Sequence, residues 1–538
     1  MYNYDILRLG VQLLMDRRRA LWALSLCLAC SERQTGPPGT TITNVRIVDG
    51  TGAAAYSGAV RFVADSIVAV GPSVTPARGD SVVDGKGLTL APGFIDTHSH
   101  HDDGLAATPE ALAAVSQGIT TIIAGQDGYH PMPLRTVMDS LGSARPAVNV
   151  AFYVGHGALR AAVMGDDFKR KATRSEVDSM AALLRKELEA GGLGLSTGLE
   201  YDPGIYSDKS EVMTLAKVTA TLGGRYISHI RSEDRWFWQA IDEIIAIGRE
   251  AKLPVQISHM KLGMIPLWGQ ADSLIRVLDR ARASGVEITA DVYPYQYWQS
   301  TLTVLYPNRD FENVAETEKI LREIAKPEGL LLGAYAPKPE YAGKTVAEIA
   351  TLRNERPSRT LITLIRDANA MRKDLAARAE NGVVSGEVES VIATGMAEPD
   401  IAKILAWPHS NVCSDGMLDG PHPRGFGAFS RILAKYVRED HVLTLEDAVR
   451  KMSNLAAEHA GLQRRGKIAP GNYADLVLFD PATVQDRSTP KEPHLTSTGI
   501  SQVWVNGQSV WRDGRVTGER PGRVLKRQST TAAANASG

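Results

Sequence analysis

Between residues 92 and 462 the chain alternates short apolar runs with longer stretches whose apolar residues recur at helical spacing. Eight runs carry the first pattern: GFIDTHSH (93–100), TTIIAG (120–125), NVAFYVGHG (149–157), GLGLSTGLEY (192–201), RYISHI (225–230), PVQISHMK (254–261), VEITADVYPY (286–295) and NVCSDG (411–416). A short strand that is apolar on both parities is covered on both faces, as in a parallel sheet wrapped in helices. Eight such β/α units predict an α/β fold of the TIM-like (β/α)8 barrel type. One intervening stretch can be followed residue by residue. Thr173 and Glu176 have capping-box spacing, Val177, Met180, Leu184 and Leu188 share a helical face, and Gly191-Gly192 stops the helix.

The flanks change period. Residues 41–91 (ITNVRIVDG, AVRFVADSIVAVG) and 463–527 (ADLVLFD, SQVWVNGQSVWRDGRV) read as short strands broken by Gly and Asp turns. Asn506-Gly507 and Asp513-Gly514 are hairpin signals. Neither flank holds enough strands for a core of its own, so the two are expected to pack together as one small β-sandwich built from both termini. The link between the seventh and eighth runs, about residues 301–409, is charge-rich and too long for one helix. It is expected to be a helical insertion before the last barrel strand, placed where barrel loops approach the catalytic face.

The extreme ends carry other signals. Arg17, Arg18 and Arg19 precede an apolar run from Ala20 to Ala29, a secretory pattern too short to span a bilayer. The run ends Cys27-Leu28-Ala29-Cys30-Ser31, which resembles a bacterial lipoprotein cleavage box with Cys27 in the place usually held by Leu. In that reading Cys30 is the lipidated first residue of a lipoprotein exported to the periplasm or cell envelope. An ordinary small-residue cleavage site would export the chain without the anchor. The residues ahead of Met15 fit no leader template, which makes Met15 a candidate start. Residues 1–40 are thus leader and linker, and the low-complexity tail 528–538 is expected to be disordered.

Composition sets limits. A length of 538 residues exceeds one ordinary domain, and 43% hydrophobic with 22% charged residues excludes disorder over most of it. Lys+Arg is 60 against 61 Asp+Glu, which argues against a globally basic nucleic-acid binder. With only Cys27, Cys30 and Cys413, a disulfide scaffold is ruled out.

The polar residues at the ends of the runs carry the candidate chemistry. In such a barrel the active site collects at the carboxyl ends of the strands. His98 and His100 are two apart and project from one face of a strand. Two imidazoles in one cavity suit Zn²⁺ or a similar divalent ion. Run five ends in His229, run six in His259 and run eight in Asp415. A single His at a strand end is ordinarily structural, but four with one Asp, all at one end of one barrel, point to a metal.

With these residues in place, the sequence resembles the amidohydrolase superfamily and, within it, the N-acyl-D-amino-acid deacylase (D-aminoacylase) family. The stretches that carry the resemblance are APGFIDTHSHHDD, GITTIIAGQDG, VGHGALR, GLGLSTGLEYDPG, ISHIRSE, ISHMK, DVYPY, SDGMLDGPHPRGFGAFSRIL and RGKIAPGNYADLVLFDP, between residues 91 and 481. The resemblance implies a hydrolase of linear amides that uses one or two divalent ions, Zn²⁺ foremost. It departs at one point: where the family carries a metal-ligating Cys after the second strand, this chain has IAGQDG, with Asp127 at the Cys position. Two replacements are open, Asp127 itself or Glu200 at the end of run four. Strand parity favours Glu200, because Ser196, Gly198 and Glu200 share the face opposite Leu193, Leu195 and Leu199. A contact from either acid to a ligating His is the alternative role for it.

By the same resemblance, Tyr201, Lys261, Tyr293 and Arg424 stand where the family holds the α-carboxylate of its substrate, and their donors suit that task. Asp415 is then the catalytic residue, taking a proton from a water that the metal acidifies to a pKa of ~7 and returning it to the leaving nitrogen. Cys413 is expected to act as a small buried hydrophobe, and His101, Asp102, Asp103, His130 and His156 to lie outside the ligand set. The expected partner is a small N-acyl amino acid or related amide, with no nucleic acid and with a membrane only through Cys30. A dipeptidase, a cyclic-amide hydrolase or another amidase shares fold and metal, and a non-catalytic metal- or solute-binding lipoprotein is a third possibility.

Overall fold

The computed structural model describes residues 37–378 and 387–527. The leader with Met15, Cys27 and Cys30 and the tail 528–538 lie outside the described residues.

Five strands come first: β1 (Thr40–Ile47), β2 (Tyr56–Val63), β3 (Ser66–Gly71), β4 (Ser81–Asp84) and β5 (Thr89–Pro92). The barrel staves follow as β6 (Phe94–Asp96), β7 (Ile119–Ala124), β8 (Asn149–Phe152) with β9 (Val154–Gly155), β10 (Gly194–Gly198), β11 (Arg225–His229), β12 (Val255–Ile257) and β13 (Ile288–Val292). Then come β14 (Tyr297–Ser300), β15 (Leu330–Tyr335), β16 (Glu389–Thr394) and the last stave, β17 (Ser410–Val412). The chain closes with β18 (Leu476–Phe479), β19 (Ile500–Val505), β20 (Gln508–Arg512) and β21 (Arg515–Val516).

β6, β7 and β8 pair in parallel, as do β9 through β13 and β17 in that order. Only Tyr153 separates β8 from β9, and its N–H donates to Ala124 O at 2.9 Å, so the third stave is continuous. The ring closes where Asp415 N donates to His98 O at 2.8 Å and His100 N to Gly416 O at 2.9 Å. Eight staves therefore form a closed parallel barrel, one from each apolar run. β7, β10, β12, β13 and β17 are buried along their whole length, as a sheet covered on both faces requires. The helix Arg174–Ala190 has the expected capping box, buries Met180, Leu184 and Leu188, and stops at Gly191 with φ 130°.

The two flanks meet in one nine-stranded sheet, because β18 from the carboxyl flank pairs with β5 from the amino flank. The sheet curls on itself: Ile67 N donates to Asn472 O and Ala474 N to Asp65 O, bringing the β3 edge back to the lead-in of β18. Ile42, Phe62, Ile67, Leu476 and Trp504 pack inside the curl as a separate apolar core. Both hairpin turns have positive φ at both corner residues, 46° and 80° at Asn506-Gly507 and 48° and 82° at Asp513-Gly514, as type I′ turns demand.

The excursion before the last stave is more than helical. The helices Val314–Glu323, Val346–Arg353 and Pro357–Arg378 accompany a three-stranded antiparallel sheet, β14-β16-β15, which opens at Tyr297. The helix Glu398–Ala406 packs on β17 and on the helix Ala271–Ala283, so it belongs to the barrel wall and not to the excursion.

Candidate metal centre and active site

Every candidate ligand sits at the carboxyl end of a stave or within a few residues of it. His98 and His100 follow β6, Asp127 follows β7, His229 ends β11, His259 follows β12 and Asp415 follows β17. The chain must turn at once to hold these side chains over the barrel mouth. Asp127, His259 and Asp415 do so with φ of 53°, 34° and 50°, left-handed backbone that non-glycine residues keep only where surrounding structure enforces it. The Asp127 turn also needs a glycine opposite it, since a Cβ on Gly198 would lie 2.1 Å from Asp127 O.

Asp127 occupies the centre of the cluster. Its carboxylate lies 3.4 Å from His98 Nε2, 3.4 Å from His100 Nε2 and 3.3 Å from His259 Nε2. Asp415 Oδ1 lies 3.6 Å from His98 Nε2 and 3.4 Å from His100 Nε2. His229 Nδ1 is 3.2 Å from His259 Nε2. Among the described residues, donor atoms within 4.8 Å of one another form three groups, from His98, His100, Asp127 and Asp415, from Asp127, His229 and His259, and from Glu200, His229 and Glu233. Asp127 is common to the first two and His229 to the last two.

Glu200 lies just beyond β10, which ends at Gly198. It faces the site cavity as parity suggested, with one oxygen 2.9 Å from His229 Nε2 and the other accepting from Glu233 N at 2.8 Å.

Burial alone would raise both aspartate pKa values. The neighbouring imidazoles of His98 and His259 instead hold Asp127 well below the usual carboxylate range. Arg424, then His259 and His100, do the same for Asp415. Conversely, burial lowers His100, but Asp127 and Asp415 outweigh it and push that imidazole up to about 10. The fully buried His98 has no hydrogen-bond partner on either ring nitrogen. Ionised carboxylates facing four imidazoles, one of them orphaned, fit a borderline divalent cation taking the place of the protons.

Beside this cluster, Tyr201, Lys261, Tyr293 and Arg424 line one cavity. Arg424 Nη1 donates to Asp415 Oδ2 at 2.5 Å, and its guanidinium lies 4.8 Å from the Tyr293 ring centroid. Arg424 Nε and Tyr293 Oη are buried without partners. The Tyr201 ring packs against His229 at 4.4 Å. Glu233, which sequence reading passed over, bonds Lys261 Nζ at 2.7 and 2.8 Å and comes within 3.0 Å of His259 Nδ1. Its one signal was its place four residues after His229. Asp291 and Asp96 were also missed. They are wholly buried acids in otherwise apolar staves, accepting from His259 N at 2.5 Å and from Ser414 N at 2.8 Å.

The remaining candidates lie apart. The His101 ring contacts Ser99 Oγ and Gly425 O, His130 accepts from Gly155 N, and His156 meets Glu211. Asp102 and Asp103 line a second cavity that adjoins the first. Cys413 is fully buried, and burial pushes its thiol well up, as for a small apolar side chain.

A closed parallel barrel that gathers imidazoles and carboxylates at the carboxyl ends of its staves defines the class of metal-dependent barrel hydrolases. The Amidohydrolase family model matches residues 81–511, and the chain belongs to that family. It is 35% identical over 512 residues to an N-acyl-D-glutamate deacylase of Alcaligenes xylosoxydans xylosoxydans, covering 91% of this chain and 96% of that one. It is 31% identical over 523 residues to a D-aminoacylase of the same organism, covering 92% and 99%. The crystal structure of N-acyl-D-glutamate deacylase from Bordetella bronchiseptica, complexed with zinc and a phosphonate inhibitor, superposes with a TM-score of 0.79 at 33% identity, covering 91% of this chain and all of that one.

Proposed function

We propose that this chain is a zinc-dependent amidohydrolase that removes the acyl group from N-acyl-D-amino acids. The observation that carries the reading is the convergence of four imidazoles and two carboxylates beside a Lys-Tyr-Arg grip in which Arg424 Nε and Tyr293 Oη are buried without partners. The deacylase relatives and the zinc and phosphonate in the Bordetella bronchiseptica enzyme support it.

His98, His100, His229, His259, Asp127 and Asp415 would hold the metal, with Asp127 shared between two of the three donor groups and Glu200 orienting His229. A bound Zn²⁺ supplies a Lewis acid and acidifies water. Arg424, Tyr293 and Lys261 fix the substrate carboxylate, and Tyr201 walls the cavity next to His229. Asp415 accepts the water proton. Arg424 and the imidazoles keep it ionised, which leaves its carboxylate open to a proton but weakly basic, so it passes that proton readily to the more basic leaving nitrogen. Elemental analysis beside a panel of N-acyl-D- and N-acyl-L-amino acids tests the reading. Metal-loaded protein that hydrolyses the L series better, or neither series, would overturn it.

We also infer export as a lipoprotein, from Arg17–Arg19, the apolar run and Cys30. Cys30→Ser should release the protein from the membrane fraction, and retention there would refute the anchor.

A further inference from the structure

Glu233 stands between the metal cluster and the carboxylate grip and touches both. Its two oxygens accept from Lys261 Nζ at 2.7 and 2.8 Å, and Oε1 lies 3.0 Å from His259 Nδ1. Its own N–H donates to Glu200 Oε1 at 2.8 Å, and Glu200 in turn meets His229. The backbone that carries it is pinned: Gly263 N donates to Glu233 O at 2.8 Å, and a Cβ on Gly263 would lie 2.6 Å from that oxygen. The three side chains are nearly dry, 13% exposed for Glu233, 3% for Lys261 and 2% for His259, so each contact weighs more than it would at a surface.

His259 Nδ1 has a second neighbour, Lys261 Nζ at 2.7 Å. The ammonium only donates and the carboxylate only accepts, so the two contacts cannot both be hydrogen bonds at once. Without its hydrogen, Nδ1 accepts from Lys261 but turns a lone pair on Glu233. With its hydrogen, Nδ1 donates to Glu233 but meets Lys261 donor to donor. The other ring nitrogen decides between these arrangements. His259 Nε2 faces the cluster, 3.3 Å from Asp127 Oδ1 and 3.2 Å from His229 Nδ1. With a cation at Nε2, the ring hydrogen is confined to Nδ1, and that nitrogen belongs to Glu233. Lys261 then loses the ring as an acceptor and keeps only the shared carboxylate. Its ammonium has a donor to spare for an anion in the cavity that it lines with Tyr293 and Arg424.

We propose that Glu233 is a positioning residue that couples the metal to the grip, so that zinc in the cluster and a carboxylate on Lys261 each tighten the binding of the other. The proposal rests on the deacylase reading above and deepens it, and reciprocity requires one factor for both directions. The test measures calorimetric affinity for D-leucine and for D-glutamate on metal-free and zinc-loaded protein, unmodified and as Glu233→Gln and Lys261→Met. Hydrolysis of the two N-acetyl derivatives is recorded on the same preparations. In the unmodified enzyme zinc should tighten the better-bound amino acid about tenfold or more, and chelator competition should show the amino acid tightening zinc by the same factor. Any direct contact between zinc and the amino acid persists in the variants, so the part of the factor that they lose, about fivefold or more, belongs to the relay. A side chain that only supported the fold would weaken both affinities and leave the factor unchanged. Equal affinity with and without zinc in the unmodified enzyme overturns the coupling, as does an undiminished factor in Glu233→Gln shown to be folded by thermal unfolding. Hydrolysis of either N-acetyl-D-amino acid leaves the deacylase reading standing in those cases. Zinc-loaded protein that binds neither amino acid and hydrolyses neither derivative sinks that reading and the coupling with it.

Discussion

Replacing Asp415 by Asn keeps the size and shape of the side chain and removes its charge. Three groups feel the loss directly: His98 Nε2 at 3.6 Å, His100 Nε2 at 3.4 Å and Arg424 Nη1 at 2.5 Å. The amide is a far weaker proton acceptor than the carboxylate. If Asp415 moves the proton, kcat falls about 10²–10⁴-fold, equivalent to about 2.7–5.5 kcal/mol in the barrier. Stability responds through Arg424. Removing one member of a buried ion pair costs about 3–5 kcal/mol. Arg424 borders a cavity that water can enter, so a loss near or below the lower figure is expected. The remaining donors, His98, His100, Asp127, His229 and His259, stay in place, so metal content should fall less than turnover does. The assay is kcat beside elemental analysis and thermal unfolding of the same preparations. Full turnover at unchanged metal content would refute the proton-transfer role. Turnover that falls only in proportion to lost metal would reduce Asp415 to a ligand.

Other outcomes follow from the same geometry. Asp127→Ala should weaken metal binding by more than the 10–100-fold typical of a contact to a ligand, whereas Glu200→Gln should stay within that range; the reverse order in a chelator titration would return the bridging role to Glu200. Tyr293→Phe removes a buried hydroxyl that has no partner in the structure. Its melting temperature should hold or rise while KM increases about tenfold, and a clear loss of stability would show that the hydroxyl has an internal acceptor. Burial first, then Arg225 and Arg282, lower His459 to about 3 from 6.5. The unfolded chain then binds the extra proton, so this stability is fully present above pH 6.5 and is lost as pH falls toward about 3. The loss is up to about 2 kcal/mol at pH 5. Denaturant titrations should show a shallower decline from pH 7 to 5 in His459→Asn than in the unmodified protein, and identical slopes would discount the effect.

What local sequence determines here is whatever depends on neighbours a few residues apart. The eight apolar runs, the Thr173–Glu176 cap and the two hairpin turns were legible because strand burial, capping and turn geometry are short-range properties. His98, His100, His229, His259 and Asp415 were legible as candidates because each ends an apolar run. The antiparallel sheet β14-β16-β15 was not, since its strands lie far apart in the chain amid charged helices. Only the tertiary structure shows what Asp127 and Glu200 each touch: Asp127 stands among His98, His100 and His259, and Glu200 meets His229. Strand parity could not give these partners, because β10 ends at Gly198. Left-handed turns at Asp127, His259 and Asp415 then aim these side chains at one another. Glu233 likewise gains its meaning only through Lys261, 28 positions further on. Closing the ring from β17 to β6 brings Asp415 to His98 across more than 300 residues, and no periodicity in the chain encodes the distance between groups that only ring closure makes neighbours.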